Sequence, residues 1–338
     1  MSTGDVGPMS QPPARVVSSN GVVPERHLVI VHQPSWQAIE DWYEIAEKVA
    51  RIDPHIVVIV ASAIVADDAV ARFAASRPTL VVSAGPLGVF RPLRGKVYFG
   101  RPIHKFEQLK RLAEAGVRVP RSVMLGPDTV LDPAEWGEFV VLKPTDIGSS
   151  SQGDGIGLMR TTRVKYRARE DYPEGHPGRL GPMVVQRFID TGPHITAYRV
   201  LTLFGRPLYC QMVRAVQPRP DLTAENAVIE AATVASQATA RDRLLVYEAD
   251  VIAAAAAAYR ALPEAPLQGC DIIREAGTDR VYVLEVNAGG NTWHFSSSFL
   301  AGQRAELGPQ FERQRRLQLD AFGTAAQVLA ERTLAEAE

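Results

Sequence analysis

Apolar residues in the first third of the chain fall into continuous runs of strand length, LVIVHQ, HIVVIVA and TLVVSA, separated by stretches with helical spacing over 36–50 and 67–75. This alternation predicts a β-α-β-α-β unit, a small parallel sheet with helices on its faces, ending near residue 95. A helix follows over 105–115, closed by Gly116, and VRVPRSVML leads from a loop into a strand. The rhythm then changes. FVVLKP, DIGSSSQGDGIG and GLMRT read as strand, loop and strand, and after a polar stretch MVVQRFI, HITAYRVLTLF and RPLYCQMVRA carry further strand signals. Residues 217–243 are weakly patterned and read as a mobile loop. The alanine-rich segment over 245–262 predicts a helix packed closely on a sheet, QGCDIIREAGTDRVYVLEVN a hairpin, and 310–335 a terminal helix.

The fold class this predicts is α/β with α+β character, in three parts behind a Pro-, Gly- and Ser-rich mobile tail over 1–26. The parts are an N-terminal α/β lobe (27–96), a central subdomain with a glycine-rich flap (97–186) and a C-terminal mixed-sheet subdomain (187–335). With 338 residues the chain exceeds one ordinary core. Its 37 Lys and Arg balance 38 Asp and Glu, which argues against a general polyanion surface and so against nucleic acid. No apolar run approaches the roughly 18–20 residues of a membrane span, and the first residues lack the apolar core of a secretory signal, so a cytoplasmic protein is expected. Cys210 and Cys270 sit in apolar runs without metal or redox spacing and read as buried thiols.

Chemistry is most concentrated in the last hairpin. A turn centred on Thr278 sets Asp271 directly opposite Glu285, and Asn287, two residues on, shares their face. Like charges facing each other on an apolar sheet require a cation between them. Oxygen-only ligands suit Mg²⁺, with water and substrate phosphate completing its shell, and Mn²⁺ is the alternative. A solvated edge strand is the competing reading, but it leaves Ile272, Ile273, Val281, Val283 and Leu284 beside water.

Further candidates lie upstream. Lys143 stands in the apolar strand VVLKP, where its ammonium needs an anion or a route to solvent. Shortly after it, Ser149, Ser150, Ser151, Gly153, Gly155 and Gly157 form a loop whose backbone could wrap phosphate, although such loops are also ordinary turns. Neither the G-x-x-x-x-G-K-[ST] nor the strand–G-x-G-x-x-G–helix motif is present. A turn at Gly205-Arg206 would put Arg214 opposite Ala197 on the face of Arg199, making the two arginines phosphate or carboxylate clamps, or else exposed strand residues. VVQRFID fits a nucleotide hinge in which Asp190 accepts from a ribose hydroxyl. His32 and His294 are candidate substrate contacts, with no Ser-His-Asp or Cys-His arrangement around them.

Taken in order, Lys105, Lys143, the Gly/Ser flap, QRFI, the arginines, CDII and LEVNAGG make the chain from about 97 to 332 resemble the ATP-grasp superfamily, nearest its ribosomal-protein glutamate ligase branch. The resemblance implies that Lys105 and Lys143 hold ATP phosphates under the flap and that Gln186, Arg187, Phe188 and Ile189 take the adenine. It further implies that Asp271, Glu285 and Asn287 bind two Mg²⁺, and that Arg199 and Arg214 steady the transferring phosphoryl group. The implied activity is an ATP-dependent carboxylate–amine (or thiol) ligase forming an amide through an acyl phosphate. A small-molecule kinase or a nucleotide sensor on the same site are the alternatives. Partners would be a small-molecule or peptide carboxylate and an amine acceptor, and a homo-oligomer is in keeping with the family. Two departures stand out. Gln186-Arg187 replaces the usual acidic hinge residue, and Ala288-Gly289-Gly290-Asn291-Thr292-Trp293-His294 departs from the family's loop at the acceptor site, so no relative's substrate carries over.

Overall fold

The computed structural model describes residues 14–19, 21–145, 155–232, 240–289 and 292–338. The first sheet contains β1 (Arg15–Val17), β2 (Arg26–His32), β3 (Ile56–Ser62), β4 (Thr79–Ser83) and β5 (Lys96–Phe99) in the order β1-β3-β2-β4-β5. All its pairings are parallel except β1 with β3. Its flanking helices α1 (Ile39–Ile52) and α2 (Asp68–Ala74) occupy the predicted stretches. Asp67 fixes the start of α2, its carboxylate accepting from the Val70 N–H, one of the orphan donors of the first turn. The expected tail over 1–26 is too long. β1 lies within it, pairing antiparallel on β3 while Arg15 lies over the Tyr43 ring and bonds Glu47 at 3.0 Å.

α3 (Lys105–Glu114) leads to the central sheet, formed by β6 (Ser122–Met124), β7 (Phe139–Pro144), β8 (Gly157–Arg160) and β9 (Met183–Arg187) in the order β6-β9-β7-β8. The short helices α4 (Pro133–Trp136) and α5 (Pro177–Leu180) join its strands. The third sheet has the order β12-β11-β10-β13-β14, with β10 (Thr196–Leu203), β11 (Arg206–Ala215), β12 (Arg241–Leu245), β13 (Leu267–Arg274) and β14 (Val281–Asn287). Each pairing in it is antiparallel, so the expected mixed sheet is corrected. α7 (Ala249–Ala261) buries Ala255 and Ala258 against Val200, Cys270 and Val283, as the run of small side chains predicts. Cys210 and Cys270 are buried free thiols, their pKa pushed up to about 12 by burial.

Two other expectations fail for local reasons. The stretch 217–243 contains α6 (Asn226–Ala231), anchored by Ile229 against Phe139 and Leu158, and the start of β12. The single terminal helix is two, α8 (Ala301–Leu317) and α9 (Ala321–Glu336), separated where Asp320 takes a left-handed φ of 43°. Within α8 the helix breaks at Gly308, φ 78°, because the following Pro309 disfavours helical geometry at the residue before it.

The expected domain boundaries are also crossed. α9 contributes Ala325, Ala326 and Leu329 to one core that joins Leu28, Ile30 and Val58 of the first sheet to Leu201, Leu203 and Tyr209 of the third. Trp42 of α1 stacks on Trp293 at 4.5 Å, and the Trp293 indole N–H donates to Asp41 at 2.8 Å. α3 likewise sits on the third sheet. Gln108 Oε1 accepts from the Val286 N–H at 3.0 Å and the Arg118 carbonyl from the Val283 N–H at 2.9 Å, covering the free edge of β14. Among the described residues, no helix is long and apolar enough to cross a membrane.

Because Trp42 is 3% exposed in this seam, Trp42→Ala is expected to lower unfolding free energy by about 3–5 kcal/mol, read from denaturant midpoints at unchanged slope.

Candidate functional site

Asp271 and Glu285 are cross-strand partners, and Asn287 follows opposite Gly269. The facing expected from the hairpin is met, though by a different route. The ladder shifts between Asp271 and Ile272, where Leu284 is the extra residue. The Asn287 amide N–H₂ donates to Asp271 Oδ2 at 3.1 Å and to the Gly269 carbonyl at 3.3 Å. In that orientation the amide presents its N–H₂, not its oxygen, to Asp271. Arg199, opposite Asp271 on β10, donates from Nε to Asp271 Oδ1 at 2.8 Å.

Two lysines complete the cluster. Lys105 opens α3, and Gln108 one turn later bonds to β14, so Lys105 is delivered to Glu285 with Nζ 3.4 Å from Oε1. From the central sheet, Lys143 Nζ donates to Gln186 Oε1 at 3.0 Å. Lys143 and Gln186 share a face because Lys143 pairs with Val184 and Val141 with Gln186. Burial brings the Lys143 pKa down to about 8, Lys105 pushing the same way, while Glu285 and Asp271 oppose it. The site is therefore a cleft between the central and third sheets, in which three cations face two carboxylates.

Burial also raises Asp271 to about 6, with Glu285 adding to the rise and Arg199, Asn287 and Lys105 opposing it. The two facing carboxylates form a hard-oxygen pair of the kind Mg²⁺ takes when substrate phosphate and water supply the rest, and Asn287 beside them carries a third oxygen of the same chemistry. Among the described residues no group of three His, Cys, Asp or Glu could hold a metal by itself. The donor set therefore fits a metal that arrives with a phosphate and does not fit a closed structural site.

Arg214 does not join the cluster. The turn lies at Phe204-Gly205, both at positive φ, and Leu208 is the extra residue of a bulge. Arg214 then pairs with Thr196 and Arg199 with Gln211, so Arg214 lies on the opposite face, exposed and across from Asp242. A one-residue slip in register reverses the side of every residue on the strand. Gln211 takes the place beside Arg199. It accepts at 3.0 Å from Arg315, a fully buried residue of α8 that pattern reasoning passed over because its surroundings are polar.

The expected hinge is tied to the β13–β14 hairpin. Arg187 lies 3.5 Å from Glu275, and the Asp190 carbonyl accepts from the Ala276 N–H at 2.7 Å. Asp190 Oδ1 accepts from Arg219 and from the Gly192 N–H. Phe188 packs edge-on against Phe139, and the Ile189 side chain is buried with Ile273 and Tyr282. The N–H groups of Arg187 and Phe188 go to the Arg121 and Phe139 carbonyls; Ile189 makes no such bond among the described residues. Gln186, directed toward Lys143 and Ser122, lies on the cleft face of the sheet. Of the flap, Ser149, Ser150, Ser151 and Gly153 lie outside the described residues. Gly155 has φ 72°, and a Cβ there would stand 2.9 Å from Pro177.

His32 is buried, with Nδ1 against the Ala61 carbonyl at 3.0 Å. His294 bonds through Nδ1 to the Tyr209 hydroxyl, and burial followed by Arg199, Arg315 and Arg304 keeps its pKa well below the ordinary imidazole value.

No family model matches the sequence and no curated protein matches it. Among solved structures the chain is similar to D-cycloserine synthetase DcsG, at 16% identity and TM-score 0.48, covering 91% of this chain and 99% of that one. It is similar to the ATP-grasp ligase PsnB complexed with minimal precursor at 16% and 0.47, covering 91% and 100%. A third is the macrocyclase MdnC bound with precursor peptide MdnA from Microcystis aeruginosa MRC, at 11% and 0.46, covering 90% and 99%. Likeness at this level carries no functional conclusion, which rests on the side chains of the cleft.

In the ligand-free protein the raised Asp271 pKa favours the folded state only while the group is protonated. Its contribution to stability is fully present below the ordinary carboxylate value and is lost as pH rises through about 6. Carboxyl-detected NMR titration is expected to find Asp271 near that value and to find it higher in Arg199→Gln, since the guanidinium holds it down.

Proposed function

We propose that this protein is an ATP-dependent carboxylate–amine ligase of the ATP-grasp type. The observation that carries the reading is the meeting of Asp271, Glu285 and Asn287 from one hairpin with Lys105, Lys143 and Arg199 from three other elements. Without ligand these cations and carboxylates neutralise one another. A metal-bound triphosphate would let both sets exchange partners, carboxylates to metal and cations to phosphate, at little net electrostatic cost.

Lys105 and Lys143 are assigned to the phosphates, and the segment holding Ser149, Ser150, Ser151, Gly153 and Gly155 to their cover. Gln186 and Arg187 fix the strand leading to the adenine, Phe188 and Ile189 supply its contact, and the open Ile189 backbone groups supply the hydrogen bonds. Asp190 is held by Arg219 at 2.9 Å, so a ribose hydroxyl would share it with that guanidinium. Asp271, Glu285 and the Asn287 oxygen would hold Mg²⁺, one or two ions, with Mn²⁺ as a substitute. When bound, the metal neutralises charge on the phosphates and orients them for in-line transfer.

The chemistry left to the chain is positional. Arg199, directed by Asp271, faces the place where a substrate carboxylate would take the γ-phosphoryl group, and it balances the charge of the acyl phosphate. An amine then attacks the acyl carbon and phosphate leaves, so no protein nucleophile is required. His294 stays neutral and, through Tyr209, completes the wall beside Arg199. The reading adds a carboxylic acid and an amine as partners, and a cytoplasmic location.

Glu285→Ala is expected to remove Mg²⁺-dependent ADP formation, assayed over a panel of acid and amine pairs, while circular dichroism and melting stay near wild type. Lys143→Ala is expected to weaken Mg-ATP binding by roughly tenfold or more in calorimetry, since it removes one charge-assisted contact. ADP formation that persists in Glu285→Ala at low Mg²⁺ would remove the metal assignment.

A further inference from the structure

The loop that follows the β13–β14 hairpin returns to the cleft and brings one more side chain beside Arg199. Trp293 and Phe295 are buried in the core that joins the lobes, and the His294 carbonyl between them accepts from Arg315 at 3.4 Å, so this stretch of backbone is fixed. Arg199, Leu201, Tyr209 and Gln211 share one face of the third sheet, because Arg199 pairs with Gln211 and Leu201 with Tyr209. Gly269, across from Leu201, keeps that face open. A Cβ there would stand 2.8 Å from Arg199 Nη1 and 3.2 Å from Thr292 Cγ2, so the loop lies against Arg199 two residues before His294 meets Tyr209.

The protons of the Tyr209–His294 pair can be placed. Burial holds the phenol well above its ordinary pKa, so it keeps its proton. Arg315 and Arg199, which oppose that rise, are donors and accept nothing. Among the described residues the acceptor this O–H reaches is His294 Nδ1, which must therefore be bare. Burial, then Arg199, Arg315 and Arg304, keep the imidazole neutral. A neutral ring with a bare Nδ1 carries its one proton on Nε2. Nε2 bonds to no described residue, yet it is not among the enclosed side-chain atoms left without a partner, so this N–H is open to a ligand.

A ring in this state is no base, since Nε2 is already protonated and the neighbouring guanidinium groups oppose a second proton. It is a fixed neutral donor beside the place where the acid reacts. When an amine attacks an acyl phosphate, a C–N bond forms and the carbonyl π pair moves onto oxygen. On collapse that pair returns, the bond from carbon to the phosphate oxygen breaks, and the surplus proton of the nitrogen leaves with the phosphate as HPO₄²⁻. The oxygen that gains and then loses charge is stabilised by donors already in position. Arg199 gives Nε to Asp271 and Nη1 to the Gly269 carbonyl, so only part of its fork is left for this oxygen.

We propose that His294 is a catalytic residue whose Nε2–H donates to the acyl oxygen as the tetrahedral intermediate forms, and that Tyr209 is a positioning residue that fixes the tautomer. This rests on the ligase reading and adds to it the second donor at the acyl oxygen.

The test uses the full chain with the acid and amine pair that gives the most ADP in a broad panel. His294→Ala is expected to lower kcat for amide formation about 10²-fold, the usual cost of losing one such donor, with KM for both substrates and Mg-ATP affinity unchanged. With acid and Mg-ATP but no amine, the first-turnover burst of ADP should keep its wild-type rate, a split that a merely structural role would not produce. His294→Gln, whose amide nitrogen reaches the place of Nε2, should recover part of the loss. In ¹⁵N-histidine-labelled protein His294 is expected as the Nε2–H form from about pH 6 to about pH 8, and Tyr209→Phe is expected to give both tautomers with a smaller loss of kcat. Wild-type kcat in His294→Ala, an equal loss in the ADP burst, or a ring protonated at Nδ1 overturns the proposal and leaves the ligase reading standing. A wild type that forms ADP with no pair overturns the ligase reading, and the proposal with it.

Discussion

Two carboxylates held face to face on adjacent strands are the constraint around which this molecule is organised. Asp271 and Glu285 cannot share a half-buried surface unless cations reach them. None of those cations comes from their own hairpin. Arg199 arrives from β10, Lys105 from the first turn of α3, and Lys143 from the central sheet. The docking of α3 on β14 through Gln108, and the link between the hinge and the hairpin turn through Ala276, hold these elements where the charges need them.

The same constraint explains why packing crosses the sequence's apparent domain boundaries. A charge cluster drawn from four elements is only as well placed as the supports behind it. α9 fills the space between the first and third sheets, and a Cβ on Gly100 would meet the carbonyls of Ala84 and of Ala288, the residue after Asn287. The end of β14 is thus set against the first lobe.

Much of this was legible in the order of residues, and the exceptions have physical causes. The facing of Asp271 and Glu285 followed from the turn signal, because the bulge at Leu284 compensates for where the turn closes. On β10 and β11 the same kind of inference failed. There the turn begins one residue earlier than Gly205-Arg206 and the bulge at Leu208 restores only part of the offset, so the parity reversed and Arg214 left the site. Bulges have no signature in a single sequence. The docking of α8 through Arg315 was equally hidden, since α8 is mainly polar and broken at Gly308, and its scattered apolar residues make no continuous face to announce where it docks.

The stacked indoles of Trp42 and Trp293 have a consequence of another kind. One belongs to the first lobe and the other follows β14 by only a few residues, so the seam that joins the lobes runs between two fluorophores. Any rotation of one lobe against the other changes their overlap and the polarity around them. The molecule therefore carries an intrinsic optical gauge of lobe opening, readable without a label.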